Sequence, residues 1–193
     1  MGEFVHDPRH AFSYELRPAP PLDAALRALA RDLERAGLLH PGAATAPRFH
    51  PHLTLLRADH VDATVIDELA TRMSGLHARL ELHAAGTFGD GRMVWLAPQA
   101  ALAAHLATTR VWLVEALGGP DHVDPHALAR DPWIPHLTIA YAVPEPCRPA
   151  ALARAQRTLP HTGSWGSAQG WSLDVRPTEL VHAAPVLLTP SVS

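Results

Sequence analysis

His50-Pro51-His52-Leu53-Thr54-Leu55-Leu56-Arg57 and Ile134-Pro135-His136-Leu137-Thr138-Ile139-Ala140-Tyr141 share the tetrapeptide Pro-His-Leu-Thr, and the fold turns on how these two stretches run. Each reads as a strand, and side chains two apart in a strand leave it on the same face. His52 and Thr54 therefore point together, opposite Leu53 and Leu55. In the second copy His136 and Thr138 share a face, while Leu137, Ile139 and Tyr141 share the other. The histidines lie 84 positions apart in the chain. They can meet only if two similar halves pack about a pseudo-twofold axis.

Outward from these strands, the flanking segments repeat in kind. Ala11 to Arg17 alternates loosely and enters Pro18–Pro21, as a strand leading into a turn does. Leu22, Ala25, Leu26, Leu29, Leu33 and Ala36 recur at three and four residues with Gly37 behind them, which predicts a helix over 22–38. The first tetrapeptide strand is expected over 49–57 and a second helix over 61–76. A hairpin follows from strands 79–84 and 92–96, with its turn in 86–91 around Gly89, Asp90 and Gly91. A helix over 100–117, stopped by Gly118, Gly119 and Pro120, precedes the second tetrapeptide. A helix over 149–158 and strands over 171–175 and 179–183 come last. Strand, helix, tetrapeptide strand and helix thus occur twice, as a degenerate internal duplication requires. The expected fold class is α+β: a bilobal, duplicated fold with two antiparallel sheets facing a central groove and helices on the outside. Residues 1–193 form a single domain of two pseudo-symmetric lobes, with no linker long enough to part them.

Composition narrows the function classes. With 193 residues, of which 47% are hydrophobic, the chain has material for a substantial core. Its apolar runs fall short of the roughly 20 residues that a membrane-spanning helix needs. The N-terminus has neither the basic start nor the apolar run of a secretion signal, so a cytoplasmic protein, expected to be a monomer, follows. The single cysteine, Cys147, cannot form an internal disulfide. All 16 basic residues are arginine, and the formal net charge is −3. The surface as a whole would not attract a long polyanion, which favours a nucleotide or an RNA end over extended nucleic acid.

Two imidazoles and two hydroxyls around one cavity suit phosphoester chemistry. An imidazole with an ordinary pKa of about 6.5 serves as a base when neutral and as an acid when protonated. A pair can divide those tasks across an in-line displacement at phosphorus. The threonine hydroxyls can donate to the non-bridging phosphate oxygens, where transition-state charge must be held. This scheme calls for no metal and no cofactor.

Two His-x-Thr motifs, each followed by an apolar residue and one in each half of the chain, resemble those of the two-histidine (2H) phosphoesterase superfamily. That superfamily includes the 2′-5′ RNA ligases and RNA 2′,3′-cyclic phosphodiesterases. The resemblance implies a bilobal α+β fold with an open central groove, catalytic roles for His52 and His136, and phosphate-binding roles for Thr54 and Thr138. It also implies that neutral His136 activates water while protonated His52 protonates the departing 2′-oxygen. The substrate implied is a nucleotide or RNA end carrying a 2′,3′-cyclic phosphate or a 2′-5′ linkage. The alternative is a nucleotide- or RNA-binding module of the same fold without turnover.

Around the motifs, Arg57 and Arg130 are candidates to reach a phosphate, as is Arg48, and Tyr14 and Trp133 are candidates to stack on a base. His50 shares the strand face of His52 and Thr54 and is expected at the groove rim. With no carboxylate or cysteine at ligand spacing in sequence, His50 and His52 are not read as a metal site.

Overall fold

The computed structural model describes residues 12–45, 50–74, 80–88, 91–128, 133–163, 172–177 and 186–188. The strands are β1 (Phe12–Arg17), β2 (Leu53–Ala58), β3 (Leu80–Phe88), β4 (Met93–Pro98), β5 (Leu137–Ala140), β6 (His161–Gly163), β7 (Ser172–Pro177) and β8 (Val186–Leu188). The helices are α1 (Pro20–Arg35), α2 (Ala63–Ser74), α3 (Ala100–Ala116), α4 (Pro125–Leu128) and α5 (Arg148–Arg157). The class is α+β. The strand expected at 179–183 lies outside the described residues.

Local chemistry sets the helices. Prolines at the first positions of α1 pre-set the backbone for its opening turn. Leu22, Leu26, Leu29 and Leu33 then form one buried stripe. Gly37 ends the run in the left-handed region at φ +70°, and the Leu38 N–H closes back on the Leu33 carbonyl. Asp32 on α1 receives Arg154 of α5 through a two-pronged ion pair, which ties these helices together. Among the described residues no helix is long and apolar enough to cross a membrane.

The strands join in one antiparallel sheet of eight, ordered β6-β3-β4-β5-β2-β1-β7-β8, and this corrects the expectation of two sheets. The tetrapeptide strands do not face each other from separate sheets. They are neighbours at the centre, joined through the register pair Leu53↔Leu137. Either side of that junction the order is tetrapeptide strand, then β1 or β4, then the outer strands.

The hairpin also differs from expectation. β3 continues through Gly86 to Phe88, because Gly86 pairs with Trp95 of β4 and is a ladder position, not part of the turn.

β2 departs from simple alternation. Its register against β1 runs Leu53↔Leu16, Thr54↔Glu15, Leu56↔Tyr14 and Arg57↔Ser13, so Leu55 is an extra residue bulged into the ladder. Leu55 and Leu56 are both buried, and Arg57 returns to the face of Thr54. The buried Arg110 of α3 donates its Nε–H to the Leu55 carbonyl at 2.9 Å and stacks over Trp133, 4.9 Å from the ring centre. Replacing Arg110 with leucine leaves that carbonyl without this donor in the interior. We expect a loss of about 1–3 kcal/mol, read as a lower urea midpoint at unchanged slope.

Candidate active site

The register pair Leu53↔Leu137 fixes the site. In an antiparallel ladder the residues on either side of this pair fall opposite each other, His52 across from Thr138 and Thr54 across from His136. All four side chains therefore leave one face of the sheet, with the two leucines on the other, fully buried one. The two histidines occupy a diagonal of this square, a spacing of about 7–8 Å between backbones, which suits a phosphate held between two imidazoles.

Each imidazole is oriented in the same way. His52 Nδ1 lies 2.8 Å from the His50 carbonyl, and His136 Nδ1 lies 2.8 Å from the Ile134 carbonyl. A carbonyl can only accept, so Nδ1 carries the proton in each ring. Two residues before each histidine, the chain thus supplies the group that selects the tautomer.

Beside His52 stands a residue the sequence analysis missed. Ser13, Glu15 and Arg17 of β1 share the face of Thr54, and Glu15 pairs with Thr54 in register. Glu15 is 7% exposed. Its Oε1 lies 3.6 Å from His52 Nε2 and its Oε2 3.6 Å from His50 Nε2. Burial opposes its ionisation, but His50, His52 and the Ser13 hydroxyl, which donates to Oε1 at 2.9 Å, hold its carboxyl below the usual range. Burial likewise pushes the His52 imidazole below the ordinary histidine range, with Glu15 opposing and Arg17 adding to the shift. Burial therefore favours the neutral form of His52.

His136 has a different wall. Phe88 meets it edge-to-face with ring centres 4.8 Å apart, Trp95 lies 6.2 Å away, and these two rings are 5.1 Å from each other. Gly86 makes room for the indole, since a Cβ there would sit 2.2 Å from the Trp95 ring. In Gly86→Ala the indole must leave its place beside His136. We expect a cost of about 1–3 kcal/mol in thermal or urea denaturation, the usual penalty for overpacking.

Several expectations are corrected here. Tyr14 does not line the groove: it is fully buried on the core face, its hydroxyl 3.5 Å from the Asp62 N–H, because it alternates with Ser13 and Glu15. Trp133 packs under Arg110 and against the core. Tyr141 was expected on the buried face with Leu137 and Ile139. The strand ends at Ala140, the chain turns at Ala142 with φ +51°, and Tyr141 is 47% exposed. Burial of its hydroxyl end pushes the Tyr141 pKa up, a contact with the Thr138 hydroxyl opposes this, and Glu15 and Arg57 also act on it. Tyr141 therefore stands beside Thr138. The His50 ring lies 4.6 Å from that of His52, and Arg57 is on the face of Thr54. The absence of a carboxylate beside His50 and His52 is corrected by Glu15. Arg48 and Arg130 lie outside the described residues.

A sequence model described as the 2′-5′ RNA ligase superfamily matches residues 59–165, more than half of the 193 residues. A second, described as LigT like phosphoesterase, matches residues 16–95. The first span holds His136 and Thr138 and the second His52 and Thr54. No curated protein matches the chain. Among solved structures, a phosphoesterase is 18% identical, with 92% of this chain and 94% of that one covered and a TM-score of 0.49. LigT of E. coli complexed with ATP is 19% identical, covering 93% and 95%, with a TM-score of 0.48. The PDE domain of MHV ns2 is 17% identical, covering 84% and 97%, with a TM-score of 0.45.

Proposed function

The chain belongs to the 2′-5′ RNA ligase superfamily of two-histidine phosphoesterases, and from that premise we propose that it is a phosphodiesterase acting on a 2′,3′-cyclic phosphate or a 2′-5′ linkage of a nucleotide or RNA end. The observation that carries this reading is the central register pair, which sets His52, Thr54, His136 and Thr138 on one face with both imidazoles in the same tautomer. Residues 1–193 act in this reading as one unit, with the site at the β2–β5 junction of a single sheet.

In hydrolysis of a cyclic phosphate, His52 takes the proton of the attacking water through Nε2, and His136 donates one to the departing 2′-oxygen. This reverses the order implied by the resemblance. The reason is burial, which favours the neutral, proton-accepting form of His52. Glu15 then faces the imidazolium that forms and offsets its charge in a water-poor setting. The Thr54 and Thr138 hydroxyls hold the non-bridging oxygens, and Tyr141 orients Thr138. Phe88 and Trp95 offer an apolar wall for a base.

All the groups in this scheme come from the protein. A screen of EDTA-treated protein against 2′,3′-cyclic nucleotides, 2′-5′ dinucleotides and cyclic-phosphate-ended RNA is expected to find turnover of at least one class. Binding without turnover across the panel would favour a module that holds nucleotides and does no chemistry.

A further inference from the structure

Glu15 presents a buried carboxylate oxygen, Oε2, that has no hydrogen-bond partner. Such an atom costs stability unless something pairs with it. Its neighbour is His50 Nε2 at 3.6 Å, and the other oxygen has His52 Nε2 at 3.6 Å. These separations are too long for hydrogen bonds. They match the distance between two donor atoms that share one ion: bonds of about 2.0–2.2 Å at a tetrahedral angle put donors about 3.4 Å apart. The three donor atoms lie within 4.8 Å of one another, and the two rings are 4.6 Å apart, inclined at 32°. His52 also has the outer partner that ligating imidazoles use, since its Nδ1–H is held by the His50 carbonyl.

We propose that Glu15, His50 and His52 form a binding site for a divalent d-block cation of the zinc type, and that the ion switches off turnover by occupying the His52 Nε2 lone pair. One carboxylate and two imidazoles suit zinc or cobalt far better than magnesium or calcium, which prefer all-oxygen sets. Three protein ligands leave a fourth position for water or a phosphate oxygen. The nitrogen that binds the ion is the nitrogen that would take the proton, so cation and catalytic proton exclude each other. A second group of the same composition, Asp59, His60 and His122, makes a useful contrast. There the ring nitrogens lie 2.5 and 3.0 Å from the two carboxylate oxygens, and hydrogen bonds already satisfy them.

The binding half of this inference stands alone, while the inhibition half rests on the proposed acid–base role of His52. Chelated, dialysed protein is titrated with Co²⁺ alone, followed by its d–d absorption, and then with Zn²⁺ as competitor. The expected result is one equivalent of tetrahedral-type Co²⁺ absorption, displaced by Zn²⁺. Glu15→Gln and His50→Ala should each weaken it beyond the roughly 10–100-fold that loss of an outer-shell partner costs. His136→Ala should keep the ion while losing turnover, which separates this inference from the catalytic reading. Circular dichroism on each variant shows that it is folded, and His50→Ala provides the test if Glu15→Gln is not. Saturating Zn²⁺ is expected to suppress wild-type turnover and EDTA to restore it. Absence of the absorption, or equal Co²⁺ affinity in folded Glu15→Gln and His50→Ala, overturns the site. Full turnover with one Zn²⁺ bound overturns the switch.

Discussion

His52→Ala and His136→Ala are each expected to lower turnover of a 2′,3′-cyclic nucleotide by about 10²–10⁴-fold, the scale of a lost general acid or base. Their pH profiles should differ. The wild-type rate is expected to rise and then fall with pH, because one imidazole must be neutral while its partner is protonated, and the apparent pKa values belong to the pair. Burial depresses the His52 pKa, so the rising limb should lie below the ordinary histidine range. Loss of His52 removes that rise, and loss of His136 removes the fall at higher pH. Steady-state rates of the ion-free proteins across the pH range check both statements. If the rising limb vanishes in His136→Ala instead, the two roles are the other way round.

Thr138→Val is expected to cost about 10²–10³-fold in turnover, the range seen when one preorganised donor to transition-state charge is removed. The substitution keeps shape and removes only the hydroxyl, at a residue that is 7% exposed. Both limbs of the pH profile should persist, because no titrating group of the pair is lost. Thr54→Val should act in the same direction. Comparison of single-turnover rates with substrate affinity distinguishes this from weaker binding: a donor used in the transition state changes the chemical step more than KM.

Much of this was legible from residue spacing. The period-three-and-four leucines of α1 gave that helix its buried face, and the repeated tetrapeptide gave the two central strands and the four side chains they share. What failed was long-range pairing. Nothing in either tetrapeptide says whether its strand pairs with the other or faces it from a second sheet, because both arrangements bury the same leucines. The pairing of β2 with β5 decides it.

The misplaced side chains have local causes. Alternation through Phe12–Arg17 puts Ser13, Glu15 and Arg17 opposite Tyr14 and Leu16, so the face of Glu15 follows from that of the buried Tyr14. Arg57 owes its place to the bulge at Leu55, which no two-residue period anticipates. Tyr141 falls just past the end of a four-residue strand, where alternation no longer applies. Gly86 reads as a turn residue by composition, and only its pairing with Trp95 shows that it clears space beside His136.

The most direct test of paired, metal-free catalysis is the rate of EDTA-treated wild-type protein and of the His52→Ala/His136→Ala double variant on the best substrate from the screen. Because both imidazoles serve one proton transfer sequence, their losses should not multiply. Chelated wild-type protein should turn over fully, with the double variant no slower than the slower single variant. Wild-type activity abolished by EDTA and rescued by a divalent ion, or a double variant at the wild-type rate, would contradict the account.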